Sequence, residues 1–397
     1  FSMGNDVADI NHDGFPDLIT LDMLPDDEKV LKASAGDDNV AMLEMRINQL
    51  GYHYQYSRNM LQINNGGKSF SETGLLSGIA ATDWSWSALF NDYDQDGEED
   101  LFVANGIPKR PNNLDYINFT SNDQIRNKLD NTKLVDQQAL KLMPSGYVNN
   151  RIYKGNGDLT FNDESGVWIS KDTIISNGAA YGDLDNDGDL DLVTNNLNLE
   201  PTLYINQTDK KNASLIVSLK YKDRNPFGIG AKIALYAGSK AQFKELYAVR
   251  GFQSSSEPIL HFGLGNQKEI DSLFVTWPNG KVQGLKNIKT DQKLNIAYDE
   301  TKCVVARPIP MAVSTKMFNK VEGNLGLDYR HEENPFIDFD FQKLIPYRVS
   351  DRGPATSVGD LDMDGKEDVF FGASSRNLPQ IYLQRDSTFV KMDSVFQ

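Results

Sequence analysis

The sequence predicts an all-β protein: β-propeller blades, a β-domain inserted among them, the start of a second propeller, and minor helical insertions. Three observations carry this prediction. A nine-residue Asp/Gly pattern recurs four times, each copy flanked by short apolar runs. A strand–Asn/Gly turn–strand element recurs between the copies. A stretch of alternating strands lacking the pattern separates the third copy from the fourth.

The pattern first reads Asp9-Ile-Asn11-His-Asp13-Gly14-Phe-Pro-Asp17. It returns as Asp92-Tyr-Asp94-Gln-Asp96-Gly97-Glu-Glu-Asp100, Asp183-Leu-Asp185-Asn-Asp187-Gly188-Asp-Leu-Asp191 and Asp360-Leu-Asp362-Met-Asp364-Gly365-Lys-Glu-Asp368. Side-chain oxygens at positions 1, 3, 5 and 9 suit a hard cation, and the glycine at position 6 permits the turn that gathers them. Four copies in register point to calcium, one ion per loop. The alternative, a metal-free Asp/Gly turn, leaves converging carboxylates that repel one another. An EF-hand is excluded, because its position 12 needs a bidentate Glu. Here that position holds Thr20, Val103, Thr194 and Phe371. The apolar, β-branched runs after each loop, such as Leu101-Phe-Val-Ala104, read as buried strands. Ala88-Leu-Phe90 and Ala179-Ala-Tyr181 read as the strands before.

The second element appears at Leu61-Gln-Ile-Asn-Asn-Gly-Gly-Lys-Ser-Phe70 and again at Ile152-Tyr-Lys-Gly-Asn-Gly-Asp-Leu-Thr-Phe161. Both are hairpin signals. A weaker echo stands at Leu203-Tyr-Ile-Asn206. The repeating unit is then a four-strand antiparallel meander with the calcium hairpin near its far end, and arrays of such units predict a propeller. This first domain spans 1–205.

Two insertions interrupt it. In residues 25–57, the apolar spacing from Asn39 to Gly51 predicts one amphipathic helix. In 107–149, helical spacing runs through Ile125, Leu129, Leu134, Leu140 and Leu142. Such insertions emerge at loop tips, where they build binding surfaces or cap the propeller face. Residues 206–300 read as a compact β-domain, with strands at Ser214–Leu219, Lys232–Tyr236, Ile259–Phe262 and Leu273–Trp277. Residues 301–397 read as a junction and the first blade of a second propeller.

The net charge is −16, and four divalent ions would halve that excess. An acidic chain argues against nucleic acid and against direct binding to anionic lipid. Cys303 is the one cysteine, so no internal disulfide forms. That suits a bacterial exterior where calcium is the staple. No run approaches the ~20 apolar residues of a membrane span. The chain starts at Phe1 and stops soon after its fourth loop, and is read as a piece of a longer precursor.

Trp84 and Trp86 share one side of a strand and form either a sugar-stacking platform or a core pair, the core reading being preferred. Tyr52, His53, Tyr54 and Tyr56 form a second aromatic cluster. His331-Glu-Glu-Asn334 lacks the second histidine of a zinc-protease helix. The four histidines are scattered, so a histidine zinc site is not expected. Neither Gly-x-Ser-x-Gly nor a P-loop is present, and no catalytic residue is assigned.

The calcium motif with its Gly/Asn hairpin resembles the FG-GAP or VCBS repeat of integrin-α-type propellers. The segment Asn225-Pro-Phe-Gly228-Ile-Gly230-Ala-Lys232, His261-Phe-Gly-Leu-Gly265 and Val275-Thr-Trp-Pro-Asn-Gly280 resembles the ASPIC/UnbV domain. Asp328-Tyr-Arg-His331 and Ser350-Asp-Arg-Gly353-Pro354 resemble a junction into a second propeller. The whole is similar to large surface proteins of the Bacteroidetes. The resemblance implies that backbone carbonyls of Phe15, Glu98, Asp189 and Lys366 complete the calcium sites at position 7. It also implies an exported, lipid-anchored protein at the outer membrane, attached through a part outside this chain. Asp172-Thr-Ile174, Asp271-Ser-Leu273 and Asp393-Ser-Val395 resemble a glycosylation sequon of that group. The expected function is a non-catalytic cell-surface binding or scaffold module that engages a partner protein, an outer-membrane nutrient transporter, through the insertions. The second reading is glycan capture by Trp84/Trp86 or Tyr52/Tyr54, and the third a hydrolase.

Overall fold

The computed structural model describes residues 2–35, 40–54, 56–121, 141, 143–208, 212–305, 321, 323–332, 336–342, 350, 355–374 and 376–392. The chain divides into two units, 1–308 and 309–397. The helical stretch expected from Ile125 to Leu142, the junction residues Asn334 and Gly353-Pro354, and Asp393-Ser-Val395 lie outside the described residues.

Blade 1 of the first unit pairs β1 (Asn5–Ala8), β2 (Asp17–Thr20), β3 (Met60–Asn64) and β4 (Phe70–Glu72) in sequence order. Blade 2 uses β5 (Ser85–Asn91) and β6 (Asp100–Asn105). A small hairpin, β7 (Ile107–Lys109) with β8 (Ser145–Gly146), precedes its last strands, β9 (Arg151–Gly155) and β10 (Phe161–Asp163). Blade 3 has three strands among the described residues: β11 (Ser176–Gly182), β12 (Asp191–Asn196) and β13 (Thr202–Tyr204). The architecture is all-β, as the sequence predicts, although the phase of the repeat is reversed. Each blade opens with its Asp/Gly hairpin, between first and second strands, and in blades 1 and 2 the Asn/Gly hairpin follows.

Both faces of the middle blade are buried, which explains why its strands are apolar at consecutive positions. Ala88, Phe90, Leu101, Val103 and Tyr153 face blade 1, where they meet Ile19, Leu61 and Ile63. The alternate residues Leu89, Phe102, Ala104 and Ile152 face blade 3 and meet Ala179, Tyr181 and Leu192. Period-two alternation thus serves two cores at once.

The first insertion carries α1 (Glu28–Ala33), capped by the Asp27 side chain accepting from the Val30 amide, and α2 (Val40–Asn48). The sequence reading anticipated only α2. The second insertion carries α3 (Leu114–Thr120), capped by Asn113.

Residues 213–305 form two packed sheets. One joins β14 (Ala213–Lys220), β17 (Ile259–Gly265) and β20 (Gln292–Ala297), with β14 and β20 parallel. The other joins β15 (Lys232–Ala237), β16 (Lys240–Glu245), β18 (Glu269–Thr276), β19 (Lys281–Lys289) and β21 (Cys303–Val305). Leu215, Val217, Ile233, Leu235, Phe262, Val275 and Trp277 fill the space between them.

The second unit holds one four-stranded antiparallel sheet: β22 (Thr356–Gly359), β23 (Asp368–Phe371), β24 (Gln380–Arg385) and β25 (Thr388–Lys391). Tyr382 is its buried centre, with Phe371 against it and Tyr329 stacked on Phe371. Asp338–Phe341 makes one helical turn.

Candidate metal loops and the insertion surface

The four loops share one hydrogen-bond scheme. The position-1 carboxylates of Asp9, Asp92, Asp183 and Asp360 accept the position-5 amide at 3.0–3.1 Å. The position-5 carboxylates of Asp13, Asp96, Asp187 and Asp364 accept the position-7 amide at 2.8–3.2 Å. In loops 1, 2 and 4 the other position-1 oxygen accepts the glycine amide at 2.7–2.9 Å. The glycines at position 6 have φ of 85° to 98°, as the motif requires. His12, Gln95, Asn186 and Met363 at position 4 are left-handed as well, with φ of 56° to 62°. The sequence pattern shows no hint of that, since position 4 varies freely.

Position 9 has a structural task that the sequence expectation did not include. Asp17, Asp100, Asp191 and Asp368 are buried, and each accepts two backbone amides. One oxygen takes the amide at position 2 of its own loop, from Ile10, Tyr93, Leu184 or Leu361. The other takes an amide from just after or within the third strand, from Asn64, Gly155, Asn206 or Gln384. All eight bonds measure 2.8–3.0 Å. This residue is therefore a clasp between loop and sheet, whatever else it binds.

The residues present fit a cation. Carboxylate oxygens of Asp92, Asp94 and Asp96 lie within 4.8 Å of one another, as do those of Asp183, Asp185 and Asp191, and of Asp360, Asp362 and Asp368. Burial pushes the Asp9 carboxyl up to about 6. Burial, with neighbouring carboxylates adding to it, pushes Asp92 and Asp100 well above the usual range and Asp189 up to about 7. Positive charge is drawn to two of the loops. The Lys154 ammonium bridges Asp94 and Asp96, and the Arg385 guanidinium bridges Asp362 and Asp364 at 2.5 and 2.7 Å. In the first loop Asn11 donates to Asp13 at 3.1 Å instead.

Loops 1 to 3 also meet the two-sheet domain. Glu98 joins His12 of the first loop to Lys240 of β16, each at 3.1 Å. Its hydrogen bond raises the His12 pKa, and His12 in turn lowers that of Glu98. Gly263 of β17 abuts loop 2 so closely that an added Cβ would stand 1.8 Å from an Asp92 oxygen. Buried His261 bonds through Nε2 to the Gly188 carbonyl of loop 3 at 3.0 Å.

The segment between β16 and β17 runs across the first strands of all three blades. Gly251 bridges Asn5 of β1, the Phe252 amide donates to Ser87 of β5, and the Tyr181 amide of β11 donates to Ser256. At its centre the Arg250 guanidinium donates to both oxygens of Asp6 (2.7 and 2.6 Å), to the Phe90 carbonyl (2.9 Å) and to the Tyr181 hydroxyl (3.1 Å). One side chain thus ties β1, β5 and β11 together. Nothing in the motif reading pointed to Arg250. A lone arginine in a loop lacks a sequence signature.

The insertions meet through a bridge between Ser34 and Asn113. Arg110 anchors the second to blade 2 by a buried pair with Asp83 at 2.7 Å. Helices α1, α2 and α3 contain no buried residue. Leu31, Met42, Leu50, Leu114, Phe119 and Tyr147 stand exposed on the insertions. Tyr52, Tyr54 and Tyr56 are exposed too, with the Tyr54 and Tyr56 rings nearly parallel at 6.4 Å. The tryptophans are half-buried. Trp86 donates to the Gly106 carbonyl at 2.7 Å and packs on Phe252, while the Trp84 ring nitrogen is buried without a partner among the described residues.

Residues 221–302 match the family described as ASPIC and UnbV, and residues 139–194 match the FG-GAP-like repeat. Among curated proteins the chain is similar to cartilage acidic protein 1 of Xenopus tropicalis, 33% identical over 137 residues, and to that of Homo sapiens, 28% identical over 139 residues. These matches cover 33% and 34% of this chain. The chain spans only 21% of the length of either relative.

Proposed function

Because the chain joins an FG-GAP-like repeat to an ASPIC/UnbV segment, we propose that it is a non-catalytic binding or scaffold module that works outside the cytoplasm, its loops stapled by calcium. FG-GAP repeats often mediate protein interaction, and the proteins that carry them are typically extracellular. Calcium at ~10⁻⁴–10⁻³ M, typical of extracellular modules, would hold the loops as fixed staples rather than switches. No described helix is long and apolar enough to cross a membrane.

The observation that carries the binding reading is the insertion surface. The three helices among its described residues bury no residue, yet they present leucine, methionine and aromatic side chains to solvent. An apolar surface of this kind marks a protein interaction site. The partner class we propose is an outer-membrane nutrient transporter, with the chain anchored at a bacterial surface through a part outside it. Affinity capture of the full-length protein from native membranes, in millimolar calcium, tests this. Stoichiometric recovery of a transporter, lost in a Leu31→Asp/Leu114→Asp variant of unchanged melting temperature, is the expected result. Equal recovery with the variant would remove the insertions from the interface.

Glycan capture is the second reading, favoured by the parallel, exposed rings of Tyr54 and Tyr56 rather than by the tryptophans. Binding in a glycan screen that disappears in Tyr54→Ala would promote it.

A further inference from the structure

Among the described residues, blade 3 is one strand short. Blades 1 and 2 and the sheet of the second unit each have four strands, whereas the described residues of blade 3 end at β13. After Tyr204 the chain turns away. Asn206 donates to the Tyr93 and Leu190 carbonyls, Asn212 donates to the Asp94 carbonyl, and β14 follows. The outer edge of β13 has no strand partner among the described residues. Leu203 and Ile205 beside it are 52% and 41% exposed.

The sister blade shows what fills this position. In blade 2, β10 pairs with β9 so that Phe161 lies opposite Gly155 and Asp163 opposite Tyr153. Phe161 is buried in the core shared with blade 1, its ring 6.2 Å from that of Phe90. The position-9 clasps align the blades: Asp100 holds the Gly155 amide and Asp191 the Asn206 amide. Asn206 therefore corresponds to Gly155, and Tyr204 to Tyr153. An aromatic residue opposite Asn206 would enter the boundary between blades 2 and 3. A groove of about 450 Å³ lies there, lined by Ile152, Trp168, Ile169, Leu192, Tyr204 and Asn206.

We propose that β13 is a docking edge for an extended peptide of a partner protein, which adds as the fourth strand of blade 3 and places an aromatic side chain in this groove. In strand addition, main-chain bonds supply affinity and the pocket supplies selectivity. The occupant is placed in trans because the described residues that follow Tyr204 lead into β14 rather than back along β13. The edge lies outside residues 25–57 and 107–149, so it stands or falls separately from the insertion surface.

The test uses the full chain and a fluorescent peptide of residues 157–164, which carries Phe161. Saturable binding is expected, weakened about tenfold or more when Phe161 of the peptide becomes Asp, and likewise by Ile205→Asp in the protein. The Asn206 amide points inward to Asp191, so by alternation the Leu203 and Ile205 amides point outward, and their exchange is expected to be fast in the chain alone and slowed by the peptide. Four results would overturn the proposal. They are no saturable binding, equal affinity for the Asp-bearing peptide, slow exchange without peptide (the chain covers its own edge), or a dimer lost on Ile205→Asp (a second copy is the occupant). Should Ile205→Asp fail to fold, the peptide substitution and the exchange measurement still decide.

Discussion

At the scale of single residues, the two aspartates that close each loop have different tasks. Asp96 at position 5 has one oxygen on the Glu98 amide and the other turned to Lys154. Asp100 at position 9 holds the Tyr93 and Gly155 amides, both in the interior. Asp100→Ala leaves both buried donors unpaired, at about 1–3 kcal/mol each. The melting temperature should therefore fall with or without calcium. Asp96→Ala should lower it in calcium far more than in chelator. Melting curves of the two variants in both buffers check this; identical behaviour would erase the division of labour. His261 has its own pH signature. Burial depresses its pKa to about 4, against the ordinary 6.5. The unfolded chain then binds a proton that the folded chain refuses, so stability is lost as pH falls from about 6.5 toward 4, by roughly 3 kcal/mol in the limit. Urea unfolding of wild type and His261→Gln across that range should show the steeper acid loss in wild type.

At the scale of elements, the motif loops and their strands are legible because chemistry dictates them locally. Gly97 and Gly188 must sit at positive φ, and the alternation of Leu101, Phe102 and Val103 follows from burial on both faces. The phase of the blade was not legible. A repeat has no intrinsic start, and only pairing such as Leu18 with Gln62 shows which strands share a sheet. Helix α1 was also missed, being a six-residue helix with no buried face to leave a period. Contacts between elements distant in sequence are the least legible. Gly263 reads as one more strand glycine, yet it lets β17 close on loop 2. Gly263→Ala should accordingly separate that contact, exposing Lys240 and Gln242 to faster amide exchange while β1 to β4 keep their protection. Unchanged exchange at both residues would mean the close approach is dispensable.

At the scale of the whole molecule, the acidic excess is spread over loops that face both the blades and the two-sheet domain. Removing calcium should lower the melting temperature of residues 1–308 as one transition, because the repelling loops include the very surfaces on which the two-sheet domain rests. Calorimetry in calcium and in strong chelator measures it, and an unchanged melt in chelator would count against structural calcium. The predicted all-β class holds throughout. The partnership of Arg250 with Asp6, Phe90 and Tyr181 could not be foreseen, since it joins residues 244 positions apart at most.

That crossing segment also dictates an order of assembly. The hub on which β1, β5 and β11 converge is filled by residues that a ribosome makes only after all three blades have emerged. Until Arg250 arrives, Asp6 faces the interior without its counter-charge, and the nascent blades have no shared axis. The three blades thus wait for residue 250 to complete the hub, and a chain cut after Tyr204 would leave Asp6 without the Arg250 guanidinium.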